Sequence, residues 1–292
     1  MKQYSVPRRL WRIINPLLIY LGITFGVGII FGVVLGVAIA LLSALSGSVN
    51  VIDLAAELQR ITIEYAMPIL ITCNVVALGV YAPMWVNSRK RLERSRNIAP
   101  APSYALTIGL FAAFNIVITC VITLLDSSFN LMSNFSSYEG LDSIFTKGSF
   151  ITQFLAVGVC APVVEEMCFR GILMERMRWI PVWLAIPVQA ILFAVAHMNL
   201  FQASYALILG VMLGLVYIKF RSIIIVIAGH AAFNITSLIL YAADAELNLY
   251  ATLIPAAVAT VVCAVFLVRR PSAIVQPDFS QTAQDVVTLD YV

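Results

Sequence analysis

The sequence carries little charge. Asp, Glu, Lys and Arg make up 11% of its 292 residues, while 61% are hydrophobic. A soluble domain is nearer half apolar and a quarter charged, so an ordinary water-soluble fold is excluded. Histidine is scarce, with two copies. There is no Walker loop, no GxGxxG and no HExxH, which removes the common signatures of nucleotide binding and zinc hydrolysis. No internal repeat is visible, and many secondary transporters are built from two related halves. The five cysteines (Cys73, Cys120, Cys160, Cys168 and Cys263) lack CxxC spacing and lie in apolar runs. They read as small buried hydrophobes rather than disulfides or a metal knot. The net charge of +3 is small, and no nucleic-acid partner is expected.

What is present is a series of long apolar runs. Crossing the hydrocarbon core takes about 20 mostly apolar residues. Such runs occur at about 17–42, 66–86, 104–125, 150–174, 179–197, 201–219, 222–241 and 249–268. They are unbroken, unlike the short alternating segments of a β-barrel. Backbone in lipid must satisfy its own hydrogen bonds. The expected fold is therefore all-α, a polytopic integral membrane protein with an eight-transmembrane-helix bundle and the lipid bilayer as its partner. The basic start and the long first run fit a membrane anchor better than a cleaved signal. Residues 51–64, polar on one side, read as a short interfacial helix.

Basic residues order the topology. With the N-terminus inside and eight spans threaded, the inner loops collect Lys2, Arg8, Arg9, Arg12, Arg89, Lys90, Arg91, Arg94, Arg96, Arg176, Arg178, Lys219, Arg221, Arg269 and Arg270. That is 15 of the 18 basic residues, the asymmetry of cytoplasmic loops. Both termini are expected in the cytoplasm. Residues 1–270 form the transmembrane domain in this reading. The polar stretch 271–292, with two prolines, reads as a disordered cytoplasmic tail.

One stretch breaks the apolar pattern. Glu165, Glu166 and Arg170 fall inside a span, where a single charge at mid-membrane costs roughly 2.5–3.5 kcal/mol. Glu166 and Arg170 are four apart, share a helical face and can pair. Glu165 is rotated by about 100° and cannot easily share that arginine. One carboxylate is left for chemistry, such as accepting a proton from water. The competing reading is an ion cluster that holds helices in register. Both histidines also occupy apolar spans: His197, one turn after Phe193, and His230, one turn before Asn234. Glu165 and His197 are each about 16 residues from a turn near Pro181, roughly 24 Å along a helix. His230 is about nine residues, or roughly 13 Å, from the turn at Lys219 to Ser222. The two depths disagree.

These residues resemble the CPBP family, the CAAX prenyl protease and bacteriocin-processing proteins also called Abi proteins. EExxxR reads Glu165-Glu166-Met-Cys-Phe-Arg170, followed by Gly171; FxxxH reads Phe193-Ala-Val-Ala-His197; HxxxN reads His230-Ala-Ala-Phe-Asn234. The family core would span about 150–242. The resemblance implies an intramembrane endopeptidase in a cell membrane, bacterial for many family members, with peptide or membrane-protein substrates. Carried over by residue, Glu165 would be the general base and His197 would help activate the water. His230 and Asn234 would form an oxyanion hole. Glu166, Arg170 and Phe193 would support them. The family is often labelled metalloprotease, and Glu165, His197 and His230 would then be the zinc ligands. No cofactor is the favoured expectation, because Asn234 suits an oxyanion donor better than a zinc ligand. A non-proteolytic immunity or scaffold member, or a proton-coupled transporter, are the alternatives.

Overall fold

The computed structural model describes residues 6–46, 51–91, 99–130, 148–243 and 248–270. Most of the loop expected at 126–149 and the whole tail expected at 271–292 lie outside the described residues. The described residues form nine helices, with no strand among them. They are α1 (Val6–Ser46), α2 (Val51–Glu64), α3 (Ala66–Arg91), α4 (Ala101–Phe129), α5 (Phe150–Arg176), α6 (Val182–Ala196), α7 (Leu200–Phe220), α8 (Ile223–Ala242) and α9 (Leu249–Arg269).

Seven of these, all but α2 and α6, are long and apolar enough to cross a membrane. The chain is an all-α polytopic membrane protein, but eight full-length spans overstates the count. The run expected at 179–197 is a helix of 15 residues, about 22 Å long at 1.5 Å per residue. The hydrocarbon core is about 30 Å. Pro181 precedes the helix in extended backbone. At the other end Met198 takes φ 50°, a left-handed conformation that stops the helix. The first run begins earlier than expected, at Val6 instead of about residue 17.

The core gathers around α5. Helices α1, α3 and α8 pack directly on it, α6 and α7 form a hairpin, and α4 lies against α8 and α9. Two glycines permit close approaches between helices. A Cβ at Gly229 of α8 would lie 2.5 Å from Phe111 Cδ2 of α4, and one at Gly171 of α5 would lie 2.8 Å from Trp85 Cδ1 of α3. Polar side chains within spans bond back to their own helix: Asn74 to the Leu70 carbonyl, Thr107 to Ser103, Thr236 to Ala232. That removes the cost of an unpaired polar group in an apolar medium.

Prolines leave carbonyls that other helices use. Pro16 has no N–H, so the Arg12 carbonyl loses its helical partner. Arg176, at the end of α5, donates to that carbonyl at 2.7 Å and also to Asn15 Oδ1. Tyr81 of α3 donates to the Pro16 carbonyl at 2.6 Å. Ala161 N–H bonds the Ala156 carbonyl five residues back, within the π-helical turn Phe154–Cys160. In that pattern the next donor would be Pro162, which has none. The Val157 carbonyl is left open, and α8 supplies its partner.

Several basic residues meet at one end of the bundle. Arg178 and Arg221 lie 3.9 and 3.7 Å from Glu175, and Tyr217 donates to Glu175 at 2.7 Å. Arg9 sits over the Trp179 ring, and Lys219 donates to the Val268 carbonyl. This end also resolves the disagreement in depth. Helix α5 stops at Arg176, and the chain from Met177 to Pro181 is a non-helical connection. Glu175 is level with Arg221. Glu165 is then ten residues in and His230 nine, about 15 and 13 Å by helical rise. The turn belongs at Arg176 rather than at Pro181.

Candidate active site

The expected pair forms between Arg170 Nη1 and Glu166 Oε1 at 2.7 Å, with both side chains fully buried. Arg170 also donates through Nη2 to the Gly210 carbonyl of α7 at 3.0 Å, where Gln189 Nε2 of α6 donates as well, at 2.7 Å. The guanidinium lies 4.9 Å from the Phe193 ring centroid, a desolvated cation–π contact. One arginine therefore ties α5, α6 and α7 together.

Glu166 has a second partner. Its Oε1 also meets His230 Nδ1 at 2.8 Å. A carboxylate oxygen already accepting from arginine can only accept here, so the imidazole proton is on Nδ1. That directs Nε2 at the neighbouring carboxylate, and it stands 3.8 Å from Glu165 Oε2. His230 thus bridges the two glutamates. The distance to Glu165 is too long for a direct hydrogen bond but within reach of one relayed by water. Glu165 keeps 13% side-chain exposure while Glu166 keeps none. Its other oxygen, Oε1, faces the Tyr20 hydroxyl of α1 at 3.5 Å.

Asn234, one turn beyond His230, donates Nδ2 to the Val157 carbonyl at 2.8 Å. One amide proton is committed there and the other remains. His197 stands differently. The end of α6 tightens, with His197 N–H bonding Ala194 and Met198 N–H bonding Val195. This frees the Phe193 carbonyl, and His197 Nδ1 meets it at 2.8 Å. The proton is on Nδ1 again, leaving Nε2 to accept. No hydrogen bond or ion pair joins His197 to Glu165 or His230 among the described residues. Phe193 stands between the histidines, edge-on to both at ring distances of 4.9 and 5.7 Å, and edge-on to Phe169 at 5.1 Å.

Glu165, Glu166, Arg170, Phe193 and His230 therefore converge, with Asn234 one turn along. His197 lies one turn beyond Phe193, at the end of α6. Among the described residues no three His, Cys, Asp or Glu side chains gather into a metal-binding set. Sequence reasoning missed Tyr20, Gln189 and the Val157 carbonyl. Pro162 was the one available signal for the last of these.

A charged cluster enclosed by apolar helices, with His230 set between its two carboxylates, defines a membrane-embedded protein with a buried polar site. Residues 147–236 match the family model described as type II CAAX prenyl endopeptidase, Rce1-like. The chain carries this CPBP/CAAX peptidase family's domain in that segment, which includes all three motifs. No curated protein and no solved structure matched the chain significantly.

Proposed function

We propose that the protein is an intramembrane endopeptidase cleaving membrane-associated peptides or proteins through water activated by Glu165. The observation that carries this reading is the meeting of Glu165 and His230 across 3.8 Å, inside the segment that matches a peptidase family. Glu165 takes a proton from water, and the water oxygen bonds to the scissile carbonyl carbon. The carbonyl electron pair moves to oxygen. Collapse of the tetrahedral intermediate breaks the C–N bond, and the leaving amine takes the proton from Glu165.

His230 and Asn234 stabilise the oxyanion. Glu165 and Glu166 carry two negative charges against the one positive charge of Arg170. An imidazolium at His230 brings the site to neutrality and gives Nε2–H as a donor. The free proton of Asn234 Nδ2 is the second donor. His197 orients the water through Nε2. The reaction needs no metal in this reading. The chain sits in a bacterial cell membrane with both termini cytoplasmic. The basic end formed around Glu175 supports that orientation.

The test is peptide-library cleavage by the full chain in liposomes, with and without chelator. Cleavage abolished by Glu165→Ala and indifferent to chelator is expected. Cleavage retained in Glu165→Ala would overturn the assignment, and zinc-restored cleavage would overturn the metal-free mechanism.

A further inference from the structure

We propose that Tyr20 of α1 is a positioning residue for the Glu165 carboxylate, so that the site is completed by a helix outside the segment that carries its motifs. The inference rests on Glu165 being the base. Among the described residues two side chains meet the Glu165 carboxylate as hydrogen-bond or ion-pair neighbours, and they take different oxygens. Tyr20 Oη is 3.5 Å from Oε1, and His230 Nε2 is 3.8 Å from Oε2. A carboxylate enclosed by apolar helices has few donors to hold its plane. Without Tyr20, Oε1 has no donor among the described residues and the group can rotate about its last bond. Both contacts are long, as hydrogen bonds in unliganded sites often are before they tighten in the reactive complex.

The place of Tyr20 is set by the chain around it. Residues 12, 16 and 20 are spaced by four and lie along one face of α1. The first two give their carbonyls to Arg176 and Tyr81, at 2.7 and 2.6 Å. The proline that opens the Arg12 carbonyl sits one turn before Tyr20. Two anchors on separate helices thus hold α1 in the register that aims Tyr20 at Glu165. Tyr20 lies well outside residues 147–236.

The variant is Tyr20→Phe, which keeps the ring and removes the donor. Tyr81→Phe is its partner, since it loosens the same stretch of α1 without facing Glu165. Tyr20→Phe is expected to lower kcat about ten- to a hundredfold, the size of a lost hydrogen bond to a charged group, with KM unchanged. The Glu165 carboxylate stretch, isolated by infrared difference against Glu165→Gln in nanodiscs, should shift in Tyr20→Phe and stay in place in Tyr81→Phe. An unshifted stretch in Tyr20→Phe overturns the inference. An equal shift in both variants also overturns it, because the effect is then only the seating of α1. The infrared reading needs no proteolysis. A protein that cleaves nothing, or cleaves without Glu165, would sink the peptidase mechanism while the Tyr20 contact is still judged.

Discussion

Asn234 of α8 donates to the carbonyl of Val157 on α5 at 2.8 Å, and the proline five residues after Val157 is the reason that carbonyl is open. The contact locks the helix bearing His230 to the helix bearing Glu165. Asn234→Ala removes the side-chain partner of a carbonyl in an apolar setting, a loss of about 1–3 kcal/mol. Under the oxyanion reading it also lowers kcat about 10²–10³-fold. Pro162→Ala restores a backbone N–H near Val157. Combined with Asn234→Ala it should recover much of the stability and none of the kcat. Thermal unfolding of the purified protein and steady-state cleavage separate the two.

Arg170 is the second point of strain. Arg170→Met leaves Glu166 buried with His230 alone. Breaking a buried pair from one side costs about 3–5 kcal/mol. Arg170→Met with Glu166→Met should cost less than Arg170→Met alone, since no buried charge is orphaned. Arg170→Lys should fall near Arg170→Met, because a point charge cannot reach Glu166 and the Gly210 carbonyl together. Chemical denaturation midpoints in detergent check the order.

Gly229 precedes His230 and faces Phe111 of α4. Gly229→Ala forces the Phe111 ring aside, at about 1–3 kcal/mol for overpacking, and displaces His230. Lower thermal stability and lower activity should appear together. Gly36→Ala is the control. Nothing lies within 4 Å of its added Cβ, and alanine gains up to about 1 kcal/mol in helix propensity. Thermal scans of both variants decide whether contact or backbone freedom matters.

The ion ladder on α2 gives a pH test outside the seven long apolar helices. Arg60 bonds Glu57 and Glu64 at 2.7 and 2.8 Å. The guanidinium holds the Glu57 carboxyl below its usual value. A depressed folded value means that the contribution is present above the ordinary glutamate value of about 4.3. It is lost as pH falls through the lower folded value. Fully exposed pairs contribute little and are screened by salt. Arg60→Ala should therefore lower thermal stability slightly at neutral pH and low salt. It should do nothing once the pH has fallen below that lowered value, or in 1 M salt.

The motif residues were legible because charge in an apolar run demands an explanation. The Glu166–Arg170 pair followed from spacing alone. The depth of the site did not. A proline marked the loop after α5, but the helix stops five residues earlier, and only Glu175 meeting Arg221 shows the true level. The fifth span was legible as apolar and illegible as short, since Met198 gives no hint of its left-handed backbone. Tyr20 was hidden because one tyrosine in a long apolar run is ordinary, and its meaning depends on which face of α1 meets α5. Spacing leaves Glu165 as the free carboxylate, yet it stands between two side chains from other helices.

The shortness of α6 bears on the lipid as much as on the protein. At about 22 Å it falls roughly 8 Å short of the hydrocarbon thickness. Its lipid-facing ends, Trp183 at 75% and Met198 at 68% exposure, cannot both reach the two interfaces of an undistorted leaflet pair. The bilayer adapts by thinning, or by drawing headgroups and water inward, at fractions of a kcal/mol per ångström. His197 closes that helix. His197 therefore stands at the end of a helix that completes a crossing only with a thinned bilayer or with the neighbouring spans around it.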